Sequence, residues 1–142
     1  MWTSTSRGVD LQPADLQALI GRPFRDGGRG PEAFDCWGLV IRVRGLGGLA
    51  TPDYDCSFRQ PAEVSAAARQ AKAERLFMPV PEGAARACDI VEYKPVDGHL
   101  HFGVMIDGVS FLEIVDDGAG VRLNRLDNTW TRAFIAGVWR DR

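Results

Sequence analysis

This sequence reads as an α+β domain, with helices in its first half and an antiparallel sheet in its second. Two apolar segments at helical spacing lie between residues 13 and 46, and five short runs rich in Val, Ile and Phe follow between residues 89 and 140. Asp107-Gly108 stands between the second and third of those runs as a tight-turn signal, which joins neighbouring strands antiparallel. Helices that precede a meander of strands fit α+β architecture and not the alternation that builds a parallel sheet. The 142 residues fit one domain, 11–142, behind a loose polar arm, 1–10. A chain of about 150 residues buries roughly two-thirds of its unfolded surface, enough for a single core.

The elements follow in order. Pro13 to Ile20 forms a short helix: Pro13 suits an early helical position, Leu16, Leu19 and Ile20 share one apolar face, and Gly21 ends it. Arg22 to Phe34, with Gly27, Gly28, Gly30 and two prolines, is a loop. It lacks the Gly-Lys-Ser/Thr ending of a phosphate-binding loop, and no strand precedes it. Cys36 to Leu46 forms a helix with Leu39, Val40 and Val43 inward and Gly45, Gly47 and Gly48 closing it, although Trp37 to Val43 is β-branched enough to fit a strand. Residues 51–85 form a helical insertion, in which Val64, Ala67, Ala68 and Ala71 set the face of a second, more exposed helix from Pro61 to Phe77. The strands are Asp89–Lys94, His101–Asp107, Val109–Ile114, Val121–Arg125 and Phe134–Arg140, with a looser turn at Asp116–Gly120.

Composition excludes several functions. Seventeen basic residues against nineteen acidic give a net charge of −2, and the arginines are scattered, so no nucleic-acid footprint is present. Three cysteines, Cys36, Cys56 and Cys88, are too few and too odd in number for a disulfide framework. The polar first ten residues carry no signal peptide, which predicts synthesis in the cytoplasm, and no apolar run is long enough to span a membrane.

Cys36 sits at the start of the predicted helix, where unpaired backbone N–H groups and the positive helix end favour a thiolate more reactive than Cys56 or Cys88. A buried structural cysteine fits the same residue. His101 opens an apolar strand and can take and return the thiol proton, with Gly103 leaving room on that face for a substrate backbone. His99 is its competitor, placed in the preceding loop. Glu113, in the otherwise apolar run Phe111–Val115, is the candidate for orienting the imidazole, against the alternative of a solvated edge charge. A two-residue Asp107-Gly108 turn sets His101 opposite Ile114, one residue off Glu113, which a bulge or longer turn repairs. Dispersed Cys and His residues without Cys-x-x-Cys or His-x-x-x-His spacing make a zinc site the weaker alternative.

Phe34-Asp35-Cys36-Trp37-Gly38-Leu39-Val40, then Cys88-Asp89-Ile90-Val91, then His101-Phe102-Gly103-Val104-Met105-Ile106-Asp107-Gly108 resemble, in that order, the NlpC-type papain-like cysteine peptidases, cell-wall endopeptidases that cut peptidoglycan stem peptides. The resemblance covers Leu16 to Trp139, and Ile135 to Arg140 is similar to the family's last strand. It implies a papain-like fold, with the nucleophile at a helix N-terminus packed on a five- to six-stranded antiparallel sheet. It also implies Cys36 as nucleophile, His101 as general base, Glu113 at a position where the family usually has another His, and no cofactor or metal. Asp35 matches a position that helps hold the free amino end of the stem peptide, and Trp37 and Gly103 complete the substrate-facing set. Cys88 stands where the family usually has Gly. Sixty-five positions separate Cys36 from His101, longer than in compact secreted members. With the Ile20-Gly21-Arg22-Pro23-Phe24 opening and the missing signal peptide, the chain looks most like tail-associated peptidases of phages, prophages and gene transfer agents. Two other functions fit the same residues: a catalytically idle structural tail-tip protein, and an amidase or acyltransferase on the papain-like framework.

Overall fold

The computed structural model describes residues 9–53, 76–95 and 100–142. Its elements are α1 (Pro13–Gln17), α2 (Cys36–Leu46), β1 (Phe77–Pro79), β2 (Ile90–Tyr93), β3 (Phe102–Met105), β4 (Ser110–Glu113), β5 (Arg122–Arg125), α3 (Thr129–Phe134) and β6 (Ile135–Asp141). The strands form one six-stranded sheet in the order β1-β6-β2-β3-β4-β5, with every pairing antiparallel. Strand side chains alternate between faces. Ile90, Val104, Leu112 and Ile114 join Leu39, Val40 and Val43 of α2 in one core, whereas Val91, Met105 and Phe111 form a second cluster with Ile135 and Leu126.

Each departure from the sequence reading has a local cause. α1 stops at Gln17 and gives way to turns, with Gly21 at φ +85°. Phe77, placed by its sequence at the end of a helix, instead starts β1 and pairs with Asp141, so the last strand captures it. Residues 61–75 of that helix and residues 1–8 lie outside the described residues, and Leu76 is not helical but accepts from the Arg142 amide through its carbonyl. α3 carries no periodic signal because it is six residues long; Asn128 starts it by accepting from the amides of Trp130 and Thr131. The β3–β4 register pairs Val104 with Leu112, so the turn is one residue longer than the two-residue hairpin. Asp107 Oδ1 accepts from the Val109 and Ser110 amides and holds it. That extra residue moves Glu113 opposite Gly103, on the same sheet face as His101.

Two residues fix α2 against its surroundings. Gly38 has no substitute: a Cβ there would lie 1.9 Å from the Gly28 carbonyl oxygen, because the glycine-rich loop runs against the helix. Arg44 is 1% exposed and donates to the Cys88 carbonyl at 2.8 Å, to Thr51 at 2.7 Å and to Asp141 at 2.5 Å. It ties α2 to the start of β2 and the end of β6. Arg44→Ala strands the buried Cys88 carbonyl and empties the space of a buried side chain, whereas Asp141 can turn to solvent, and it is expected to lower unfolding free energy by about 2–4 kcal/mol in urea titration. A loss below about 1 kcal/mol would show that the junction does not depend on the ion pair. No described helix is long and apolar enough to cross a membrane.

Candidate active site

Asp35 starts α2: its carboxylate accepts from the Gly38 amide at 2.7 Å and caps the helix. Cys36 thereby takes the first helical position, among backbone N–H groups that lack intrahelical partners. Its thiol is 4% exposed and meets the backbone amides of Phe102, the residue after His101, and of Trp37. The resting thiolate expected from the helix start is not what this environment supports. Burial pushes the Cys36 thiol up to about 12, Asp35 adds to the rise, and the two amides and Arg29 offset only part of it. Cys36 rests as a neutral thiol, and its attack needs a base. Alkylation of Cys36 by iodoacetamide is therefore expected to rise about tenfold per pH unit between roughly pH 6 and 9. A plateau already reached by neutral pH would establish a resting thiolate instead.

His101 and Glu113 are brought together. The β2–β3 ladder continues to His101, whose carbonyl accepts from the Tyr93 amide at 2.9 Å, and the two rings lie 4.5 Å apart between centroids. His101 Nε2 is 3.3 Å from Glu113 Oε1. Glu113 is 2% exposed on a strand flanked on both sides, so it is not a solvated edge charge. Its carboxylate also accepts from the Tyr93 hydroxyl, from Arg122 Nε at 3.1 Å and from Asn124 Nδ2 at 2.8 Å. Burial alone would raise this carboxyl, but hydrogen bonds from His101, Tyr93 and Asn124 outweigh it and hold the group at about 2. Glu113 is thus ionised and can only accept, which fixes the proton on Nε2 of His101 and leaves Nδ1 as the basic nitrogen. Tyr93 titrates above its ordinary range, because burial and then the neighbouring Glu113 charge both oppose its ionisation.

The three residues expected to face the substrate, Asp35, Trp37 and Gly103, are all buried. Asp35 is fully buried; its Oδ1 accepts from Arg29 Nη1 at 2.8 Å and from the Gly38 amide, whereas its Oδ2 has no hydrogen-bond partner among the described residues. Burial raises its pKa against the pull of these partners. Trp37 is 5% exposed, stacks edge-on against Phe102 at 5.3 Å and donates to the Pro52 carbonyl at 2.9 Å; it is a core residue. Gly103 is buried, and a Cβ there would lie 2.9 Å from Phe111 Cδ2 and 3.0 Å from the Leu112 carbonyl oxygen. Its smallness admits the neighbouring strand's ring and not a substrate backbone. Cys88 has φ +72°, the left-handed backbone that favours glycine, and its thiol is buried against the Val43 carbonyl. Cys56 and His99 lie outside the described residues. Among the described residues no group of three or more His, Cys, Asp or Glu side chains is placed to hold a metal ion.

Tyr93, Asn124, Arg122 and Thr131, whose hydroxyl donates to Asn124 Oδ1 at 2.8 Å, carry no motif that marks them in the sequence. The one signal for them is alternation in Val121-Arg-Leu-Asn-Arg125, which puts Arg122 and Asn124 on one side of β5.

The NlpC/P60 family profile matches residues 21–140. Over 140 residues the chain is 26% identical to the probable peptidoglycan endopeptidase LytE of Bacillus subtilis strain 168, covering 96% of this chain and 35% of that protein. It is 25% identical over 137 residues to the probable endopeptidase p60 of Listeria grayi, covering 96% of this chain and 24% of that protein. The chain therefore spans about a third and about a quarter of the lengths of these relatives. An NlpC/P60 family protein from Bacillus cereus ATCC 10987 shares the fold, with a TM-score of 0.62 at 17% identity over 94% of this chain and 41% of that one. A profile match that runs from Gly21 to Arg140, across the Asp35-Cys36 helix start, the His101 strand and the last strand, makes this chain a member of the NlpC/P60 family.

Proposed function

We propose that the protein is a cysteine peptidase that hydrolyses peptide bonds in peptidoglycan stem peptides. The observation that carries this reading is His101, oriented by a buried, ionised Glu113 and directly preceding the residue whose amide touches the Cys36 sulfur. In the reaction, Nδ1 of His101 takes the thiol proton as Cys36 Sγ attacks the carbonyl carbon. The tetrahedral oxyanion meets the Cys36 backbone N–H at the helix start. His101 then protonates the departing amine, and a water, deprotonated by the same nitrogen, hydrolyses the acyl enzyme. Glu113 stabilises the imidazolium formed in each half and holds the tautomer. The names of the relatives, a peptidoglycan endopeptidase and an endopeptidase, support the substrate class.

Digestion of purified peptidoglycan with mass analysis of the products tests the proposal. Fragments shortened within the stem peptide are expected. Products with whole stem peptides released from the glycan would make the protein an amidase on the same framework, and unaltered peptidoglycan would leave an idle structural domain. The 65-residue spacing from Cys36 to His101 and the Ile20–Phe24 opening support a finer setting, in which the enzyme is carried in a phage-type tail and opens the wall during genome delivery. Co-sedimentation of the protein with purified particles is the expected result for that setting, and its exclusion from them refutes it.

A further inference from the structure

A cavity of about 410 Å³ adjoins the His101–Glu113 pair. His101, Glu113 and Asn124 line it from the sheet, Trp130 and Phe134 from α3, and Lys94 from the end of β2. His101, the proposed base, forms part of its wall, so the cavity borders the place where the reacting peptide would lie.

Two features give the cavity a preference. The first is apolar. Trp130 is 80% exposed and Phe134 47% exposed, two large rings that the fold leaves uncovered. The helix that carries them is fixed: Asn128 caps α3 through the Trp130 and Thr131 amides, and Thr131 is fastened to Asn124. The second is charge. The Glu113 carboxylate is saturated by its donors, and Arg122 is shared between Glu113 and Asp117. Lys94 has no carboxylate partner among the described residues; its ammonium donates to the Ala133 carbonyl at 3.1 Å, which leaves N–H groups available. An ionised ligand group here therefore meets a cation and no free acid.

We propose that this cavity is a substrate subsite beside the scissile bond, and that it takes a residue carrying a free carboxylate on an apolar body. The body packs on Trp130 and Phe134, and the carboxylate pairs with Lys94. The proposal rests on the peptidase reading for its place in the reaction, but its ligand preference is separable from turnover. Trp130 and Lys94 act here by binding and not by chemistry.

The test uses the full chain with two synthetic probes, a stem peptide with free carboxylates and the same peptide with those groups converted to carboxamides. The wild type is expected to favour the carboxylate peptide about tenfold in kcat/KM, and Lys94→Gln to bring that ratio near one. Trp130→Ala is expected to raise KM about tenfold with kcat nearly unchanged. Equal rates on the two probes, or a ratio that survives Lys94→Gln, overturn the subsite while leaving the peptidase intact. Calorimetric binding of both probes to Cys36→Ala reads the same preference without turnover. Carboxylate-selective binding that Lys94→Gln abolishes supports the subsite even if no cleavage is found, and unselective binding overturns it.

Discussion

Cys36→Ala is expected to remove stem-peptide cleavage, a fall of at least about 1,000-fold in kcat, while the protein still unfolds cooperatively. The sulfur is the atom that bonds to the substrate carbonyl, and no nearby side chain replaces it: Asp35 is buried under its own hydrogen bonds, and Cys88 lies against Val43 on the far side of α2 from the helix start. The stability cost is small by comparison. Cys36 contributes one buried sulfur to the core beneath Phe102, and its loss costs about 1 kcal/mol or less, read as a modest shift in the urea midpoint. Cys36→Ser is the sharper control, because its hydroxyl keeps nearly the same shape and still loses activity. Its proton is harder to remove than a thiol's, and burial already opposes an anion at this position. Cleavage within about tenfold of wild type in either variant would take the nucleophile away from Cys36.

Parts of this site can be read from the chain alone because they are local. Asp35-Cys36 announces a helix start, His101 opens an apolar run, and Glu113 is conspicuous as a charge among Phe111, Leu112, Ile114 and Val115. The helix and the five strands likewise follow from spacing and turn residues that act within a few positions. What escapes is whatever the sheet order assembles. Tyr93 lies twenty positions before Glu113 and Asn124 eleven after it, and only the sequence of β2, β3, β4 and β5 across the sheet sets all of them on one carboxylate. Gly103 and Trp37 fail for a related reason. Spacing shows that a residue is small or large on a given face, but not that Phe111 fills the space beside Gly103 or that Pro52 takes the Trp37 indole proton. Cys88 shows the reverse case. The family resemblance implied Gly at its position, and its backbone at φ +72° is the kind that favours Gly; it costs a non-glycine residue roughly 1 kcal/mol and persists because its side chain is buried.

Glu113 carries the other large effect, on rate and stability together. Glu113→Ala leaves the Tyr93 hydroxyl, His101, Arg122 and Asn124 without their common buried acceptor at the wall of the cavity, and is expected to cost about 2–4 kcal/mol of unfolding free energy. Glu113→Gln separates the two roles. It keeps the volume, but its amide turns an N–H₂ toward donors and no longer enforces the Nε2–H tautomer, so cleavage is expected to fall at least about 100-fold with a smaller loss of stability. The acid limb gives an independent reading. Glu113 is held at about 2 in the folded protein and near the ordinary 4.3 in the unfolded chain, so the unfolded state binds the proton first as pH falls. Its contribution is complete above about pH 4.3 and is lost progressively between there and about pH 2, on the order of 3 kcal/mol in all. Urea unfolding of wild type and Glu113→Gln across this window is expected to show a shallower fall in the variant. Parallel acid limbs would mean that Glu113 is not held ionised by its partners, and the orientation of His101 would then have to come from Tyr93 and the strand alone.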